Sequence, residues 1–218
     1  MKKERKTLCI LLAVLLVIIS ATIILAVRLD KSPDMQSAHL PGDTAGMQKF
    51  NAATVLNEAV EKLNNKEFAQ AENLLTAAIK QHPANTDLWL LLGTVYYRQE
   101  KFEQAELTFR HTVRRKPDSA AGFNNLCETL IKLGRLKEAR SAIGNALRLA
   151  PKRGEILLNA ASLYALLKED KKALQYLHQA LDNGIKTEEV SQIKELVSLL
   201  ERPEFMNYYK RQTRQIEK

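Results

Sequence analysis

Cysteine is scarce in this chain of 218 residues, which contains only Cys9 and Cys127. Cys9 begins a long apolar run and Cys127 lies within a helical pattern, so the two are not expected to meet in a disulfide. The four histidines stand far apart, without Cys, Asp or Glu at metal-ligand spacing. We therefore expect no metal site and no cofactor. We interpret His82, His111 and His178 as solvated side chains on the outer surface of the protein.

Catalytic motifs are also absent. The sequence contains no glycine-rich phosphate loop, no Gly-x-Ser-x-Gly and no His-Glu-x-x-His. It also lacks the extended basic face that a nucleic-acid interface needs, since much of the net charge of +8 comes from the two ends. One small basic patch is present, Arg110 with Arg114, Arg115 and Lys116. We expect neither an enzyme nor a nucleic-acid-binding protein.

One long hydrophobic run stands near the N-terminus. Residues 7–27 carry no charge, and as a helix they would extend about 31 Å, close to the thickness of a bilayer core. Residues 1–6 hold four basic side chains and one acidic one, which favours a cytoplasmic N-terminus. The pattern predicts an uncleaved transmembrane anchor at 7–27. A cleaved signal peptide is the alternative, although the run is long for one and no Ala-x-Ala site follows it.

Residues 28–50 follow this run and contain Pro33, Pro41, Gly42 and Gly46 among polar residues. No hydrophobic period is visible there, and the composition is typical of a flexible linker. A helical pattern begins near Asn51, so we place a folded domain from 51 to 187.

The folded domain is periodic. Prolines recur at intervals of 34 residues, at Pro83, Pro117 and Pro151. Two further registers follow the same interval: a small residue at Ala71, Ala105, Ala139 and Ala173, and a large apolar one at Leu75, Phe109, Ile143 and Leu177. Several registers with one period predict four repeats, at 52–85, 86–119, 120–153 and 154–187.

The second repeat carries a recognisable motif. Trp89, Leu92-Gly93, Tyr96, Ala105, Phe109 and Pro117 follow the pattern W-x2-L-G-x2-Y…A-x3-F…P. The chain therefore resembles the tetratricopeptide repeat (TPR) family. The resemblance implies an all-α fold, a right-handed α-solenoid of four helix pairs whose first helices line a concave face. Repeat four departs from the pattern, with Asn183-Gly184-Ile185 where the proline would stand.

An amphipathic stretch follows the repeats. Val190, Ile193, Leu196, Val197 and Leu200 recur at helical spacing within 188–201, behind Thr187 as a capping residue. We predict a single capping helix that covers the apolar end of repeat four, within a C-terminal segment at 188–218.

The concave face is the candidate binding site. Asn57, Asn125 and Asn159 share one register of repeats one, three and four. A side-chain amide both donates and accepts, so a row of amides could hold the main chain of an extended peptide. The resemblance implies the same use, because some TPR proteins hold peptides on an asparagine ladder. The other candidate groove residues are Tyr97, Arg98, Asn124, Glu128 and Ser162.

The layout is similar to that of bacterial single-span TPR proteins of the inner membrane. We therefore expect a protein-protein interaction scaffold or assembly factor, with its N-terminus in the cytoplasm and its repeats in the periplasm or another extracytoplasmic space. The alternative is an import or chaperone co-receptor of an organelle outer membrane, facing the cytosol. Self-association through the repeats stays open.

Overall fold

The computed structural model describes residues 51–206, which form ten helices and contain no strand. The predicted cytoplasmic tail at 1–6, the anchor at 7–27, the linker at 28–50 and the tail beyond 206 lie outside the described residues. Eight of the helices form four consecutive pairs: α1 (Ala52–Asn64) with α2 (Phe68–Gln81), α3 (Thr86–Arg98) with α4 (Phe102–Arg115), α5 (Ala120–Lys132) with α6 (Leu136–Leu149), and α7 (Gly154–Leu166) with α8 (Asp170–Asp182).

The first helix of each pair begins at one position of the repeat. The side chains of Asn51, Asn85 and Ser119, which are 34 residues apart, accept hydrogen bonds from backbone N–H groups of α1, α3 and α5. These bonds satisfy donors that have no partner inside the helix. Arg153 takes this position before α7 and makes no side-chain hydrogen bond to the helix end. Repeat four therefore lacks the capping residue that marks the start of the other first helices.

The turn inside each pair is equally regular. Lys66, Glu100, Gly134 and Lys168 adopt φ angles of 62°, 60°, 72° and 61°. A single left-handed residue reverses the chain within a few residues, which brings the second helix back along the first. Glycine occupies only one of the four positions, so the packing of the two helices holds the other three residues in this conformation.

Small residues set the closeness of the helices. Ala71, Ala105, Ala139 and Ala173 of the second helices are all fully buried. Each pair packs its second helix against the first helix of the next pair, so the four pairs follow one another in a solenoid. Consecutive first helices also contact one another, whereas the second helices of successive pairs are not among the extensively contacting pairs of the described part. The stack therefore curves, with α1, α3, α5 and α7 on its inner side.

The C-terminal segment differs from the prediction. The single helix expected over 188–201 is two short helices, α9 (Thr187–Ser191) and α10 (Lys194–Leu200), with Ile193 extended between them. The break lets Val190 and Leu196 both be fully buried against repeat four, which one straight helix would not achieve. Thr187 is the first helical residue rather than the cap. The capping position belongs to Lys186, whose backbone N–H donates to the carboxylate of Glu189.

A ladder of ion pairs joins successive repeats at their outer turns. The Nζ of Lys101 lies 2.9 Å from Glu72, and a guanidinium nitrogen of Arg135 lies 2.6 Å from Glu106. The third rung joins Arg140 and Glu169, with the charges exchanged between the two positions. Each rung spans 29 residues, so the ladder repeats with the period of the fold.

None of the helices between residues 51 and 206 combines the length and the apolar character that crossing a bilayer requires.

Candidate peptide-binding groove

The asparagine row lies on the inner helices, as its register requires. Asn57 is exposed on α1, Asn125 is half-buried on α5 and Asn159 is half-buried on α7. The amide of Asn159 donates to Oδ1 of Asn124 at 3.0 Å, and the amide of Asn125 lies 3.5 Å from the hydroxyl of Thr94. Two members of the row therefore bridge neighbouring repeats, and their carbonyl oxygens face no donor among the described residues.

A cavity of about 350 Å³ opens between repeats two and three. It brings together four of the predicted groove residues, Tyr97, Arg98, Asn125 and Glu128. Thr94 and Phe109 complete its lining. The other predicted residues, Asn57, Asn124, Asn159 and Ser162, lie on the inner helices but do not line this cavity.

Tyr97 links the two repeats across the cavity. Its hydroxyl donates to Oε1 of Glu128 at 2.7 Å, and its ring meets the edge of Phe102 with centroids 5.5 Å apart. Burial, and then the neighbouring carboxylate of Glu128, raise the pKa of Tyr97 far above its ordinary value. The phenol therefore remains a hydrogen-bond donor at every physiological pH and orients the Glu128 carboxylate.

The C-terminal cap contributes a second acid to the inner face. Glu195 of α10 accepts a hydrogen bond from the hydroxyl of Ser162 at 2.5 Å. Its negative charge also acts on the hydroxyl of Tyr97, where it adds to the increase in pKa. Glu128 and Glu195 therefore influence one hydroxyl group, although they lie 67 positions apart in the sequence.

Sequence reasoning overlooked three members of this site, Thr94, Phe109 and Glu195, as groove residues. Thr94 could have been found, because Val60, Thr94, Glu128 and Ser162 form one register with the 34-residue period. Phe109 belongs to an outer helix and is 1% exposed, and it reaches the lining because its ring packs against the backbone of Gly93 on α3. Glu195 lies beyond the last repeat, where the period no longer predicts a position.

The histidine interpretation needs two corrections. His178 is half-buried on α8, where its ring lies 5.9 Å from that of Phe205 and burial lowers its pKa. His111 is not a solvated side chain: its ring lies 4.2 Å from the Trp89 ring, and its Nδ1 is buried without a hydrogen-bond partner among the described residues. Burial, followed by the charges of Arg115 and Arg114, lowers its pKa. The neutral imidazole packs as an aromatic group beside Trp89, whose indole N–H donates to the carbonyl of Pro83.

Residues 51–206 contain no candidate metal site, and the cysteine among them is buried. No group of three or more His, Cys, Asp or Glu side chains converges there in a way that could hold a metal ion. Cys127 is fully buried, as predicted, and burial raises the pKa of its thiol to about 12. It occupies the register of Gly93 and behaves as a small apolar residue.

Two sequence profiles of the tetratricopeptide repeat match adjoining parts of the chain, residues 62–127 and 128–186. The chain belongs to the tetratricopeptide repeat family. Together the profiles cover the four helix pairs described above except for residues 52–61 of the opening helix. Repeats of this family generally bind protein or peptide partners and act as protein-protein interaction scaffolds.

Two curated proteins are similar to this TPR chain over about half its length. A TPR repeat-containing protein of Treponema pallidum (strain Nichols) is 36% identical over 116 residues, which are 52% of this chain and 14% of that protein. The Protein O-mannosyl-transferase Tmtc3 of Drosophila melanogaster is 30% identical over 103 residues, 47% of this chain and 10% of that protein. The matched parts are thus small portions of much longer proteins.

Solved structures resemble the fold. A thermophilic TPR protein of Thermus thermophilus superposes with a TM-score of 0.64 and 23% identity, covering 77% of this chain and 93% of that one. MamA superposes with a TM-score of 0.59 and 18% identity, covering 73% and 94%. At these identities the likeness shows a common helical solenoid.

Proposed function

We propose that this protein is a membrane-anchored TPR scaffold or assembly factor that holds an extended peptide, or one helix of a partner, in the groove lined by α1, α3, α5 and α7. The cavity between repeats two and three carries the proposal. Its lining combines an aromatic ring, an amide, a carboxylate and a guanidinium around about 350 Å³. Such a mixture of apolar and hydrogen-bonding groups suits a polypeptide segment.

The amide carbonyl oxygens of Asn125 and Asn159 support an extended ligand in particular. The NH₂ group of Asn159 donates to Asn124 of the neighbouring repeat at 3.0 Å, which fixes that amide in orientation, whereas the NH₂ group of Asn125 makes only a longer contact of 3.5 Å with Thr94. A fixed carbonyl oxygen can accept from a peptide N–H without losing side-chain entropy on binding. Asn57 lies at the exposed end of the same row, where its side chain can adjust its orientation to a ligand.

The anchor and the compartment form the second part of the proposal. The uncharged run at 7–27, preceded by basic residues, would tether the repeats to a membrane with the N-terminus in the cytoplasm. The repeats would then work on the extracytoplasmic side of the inner membrane. A reporter fused to the C-terminus and active only outside the cytoplasm tests this arrangement, and activity of a cytoplasm-restricted reporter at the same site would contradict it.

We propose no catalytic activity. The likeness to a transferase covers 103 residues of this chain and a tenth of that enzyme. Repeat folds of this kind present surfaces for partners.

A displayed library of random peptides, selected on the full-length protein in a non-ionic detergent, tests the groove. Peptides enriched on the native chain should lose binding when Asn57, Asn125 and Asn159 are all replaced by alanine, with helical content unchanged by circular dichroism. The matched control replaces Asn73 and Asn145 by alanine, because these two asparagines lie on the outer helices α2 and α6. Equal recovery by the groove variant and the control would count against groove binding.

A further inference from the structure

Two carboxylates on the inner face differ from the other acids of the described chain. Buried and half-buried acids elsewhere in residues 51–206, such as Glu72, Glu106 and Glu169, lie in ion pairs. Glu128 and Glu195 are half-buried too, yet neither has a cation within ion-pair distance among the described residues. The remaining described acids without an ion pair are exposed: Glu61, Glu100, Glu103, Asp118, Glu188, Glu189, Glu201 and Glu204.

A half-buried carboxylate without a counter-ion is unfavourable, because it loses hydration and gains no opposite charge. Glu128 receives one hydrogen bond, from the hydroxyl of Tyr97, and Glu195 receives one, from the hydroxyl of Ser162. A carboxylate has two oxygens and several acceptor positions, so both retain unused capacity. Both negative charges act on the Tyr97 hydroxyl, where the positive charge of Arg98 opposes them with an effect larger than that of Glu195 but smaller than that of Glu128.

The neighbouring cation does not neutralise this part of the groove. Arg98 lines the cavity but is exposed, and it makes no ion pair with a described residue. Two negative charges and one positive charge, that of the exposed Arg98, therefore act on the Tyr97 hydroxyl. The surroundings of Tyr97 retain an excess of negative charge, beside an aromatic face that itself attracts cations.

We propose that the segment bound in the groove comes from another protein and places a lysine or arginine side chain between Glu128 and Glu195, over Tyr97. This proposal rests on groove binding itself and adds the chemical class of the ligand. The cation would satisfy both carboxylates, while Arg98 remains available to a peptide carbonyl at the rim. Charge complementarity, rather than apolar area alone, then selects the partner.

The same peptide selection tests the proposal with different readouts. Peptides that need the asparagine row should share a lysine or arginine at one position. For one such lysine peptide, the variants Glu128→Gln and Glu195→Gln should each weaken binding about tenfold, since each removes a charge but keeps the shape and the hydrogen bond from Tyr97 or Ser162. Glu103→Gln, an exposed acid of the outer helix α4, should leave the affinity unchanged.

Replacing the lysine of the peptide by norleucine provides a test that does not depend on the folding of any protein variant. The norleucine peptide should bind about tenfold more weakly to the native chain and should no longer distinguish it from Glu128→Gln. Groove-dependent peptides without a basic residue would overturn this inference and leave the proposed function standing. Absence of any groove-dependent peptide would overturn both. Self-association that disappears in the double Gln variant would assign the groove to a second copy of this chain and contradict the inference.

Discussion

The ring of Phe109 lies directly against the backbone of Gly93. A β-carbon added at Gly93 would stand 2.6 Å from Cε1 of that ring, closer than two carbon atoms can approach. Phe109 is 1% exposed and belongs to the buried core cluster, so moving its ring would disturb the packing around it. This contact joins the two helices of repeat two and supports one wall of the groove cavity.

Replacing Gly93 by alanine should therefore destabilise the protein by about 1–3 kcal/mol, because the added methyl group overpacks a filled core. Gly144 is the matched control, since it lies inside helix α6 with nothing within 4 Å of an added β-carbon. Gly144→Ala should be neutral or stabilising by up to about 1 kcal/mol. Urea unfolding followed by circular dichroism measures both. Equal effects of the two alanines would refute the packing argument.

The left-handed turns give a second prediction. Glu100 adopts a φ of 60°, a conformation that glycine adopts without the steric penalty of a β-carbon. Glu100→Gly should stabilise the protein by about 0.5–1 kcal/mol, and Gly134→Ala at the equivalent turn should destabilise it by a similar amount. Thermal unfolding midpoints would show the opposite signs. Two shifts of the same sign would mean that other contacts dominate these turns.

The C-terminal cap gives a third prediction. Phe205 is 3% exposed and packs its ring 5.9 Å from that of His178 on α8. Phe205→Ala should cost about 3–5 kcal/mol, because it removes a large side chain from the cluster that closes repeat four. Met206→Ala, whose side chain is 41% exposed, should change stability by less than about 0.5 kcal/mol. If the two variants unfold at the same urea concentration, the cap does not stabilise the repeats.

A fourth prediction concerns pH. The pKa of His111 is lowered from its ordinary value of 6.5 by burial and by Arg115 and Arg114. As pH falls through 6.5, the unfolded chain therefore takes up a proton that the folded chain does not, and the free energy of unfolding decreases. His111→Phe keeps a ring against Trp89 and removes this proton uptake. The native chain should lose more stability than the variant between about pH 7.5 and the folded-state pKa.

Stability curves measured by denaturant unfolding at several pH values provide the check. His178 has a pKa lowered by burial as well, and it contributes to the loss of stability in both proteins. The informative quantity is therefore the difference between the native chain and His111→Phe. Parallel curves would show that His111 is equally easy to protonate in the folded and unfolded chains.

Most of the fold could be predicted because it repeats. Prolines and alanines at a 34-residue interval determine where a helix pair begins and which residues face its partner. The prediction was wrong for 188–201, where the period ends and tertiary packing decides the local structure: burying Val190 and Leu196 together required a break at Ile193. The burial of His111 was missed for a related reason, since it depends on the Trp89 ring of another helix.

The groove was only partly predictable. Asn125 and Glu128 could be placed on the inner face from their registers, and they line the cavity together with Tyr97 and Arg98. Two contacts could not be predicted: the hydrogen bond from Asn159 to Asn124 and the approach of Glu195 to Ser162. Each joins residues that are more than 30 positions apart and in different registers of the repeat. The role of these residues in binding stays a prediction.

The central claim, that the inner face rather than the outer one meets the partner, is tested most directly by photo-crosslinking in intact cells. A photoreactive amino acid at Val60, which is 42% exposed in the register of Thr94 and Glu128, should form a discrete adduct. The same amino acid at Leu107, which is 68% exposed on the outer helix α4, should form none. An adduct from Leu107 alone, or the same adduct from both positions, would contradict binding in the groove.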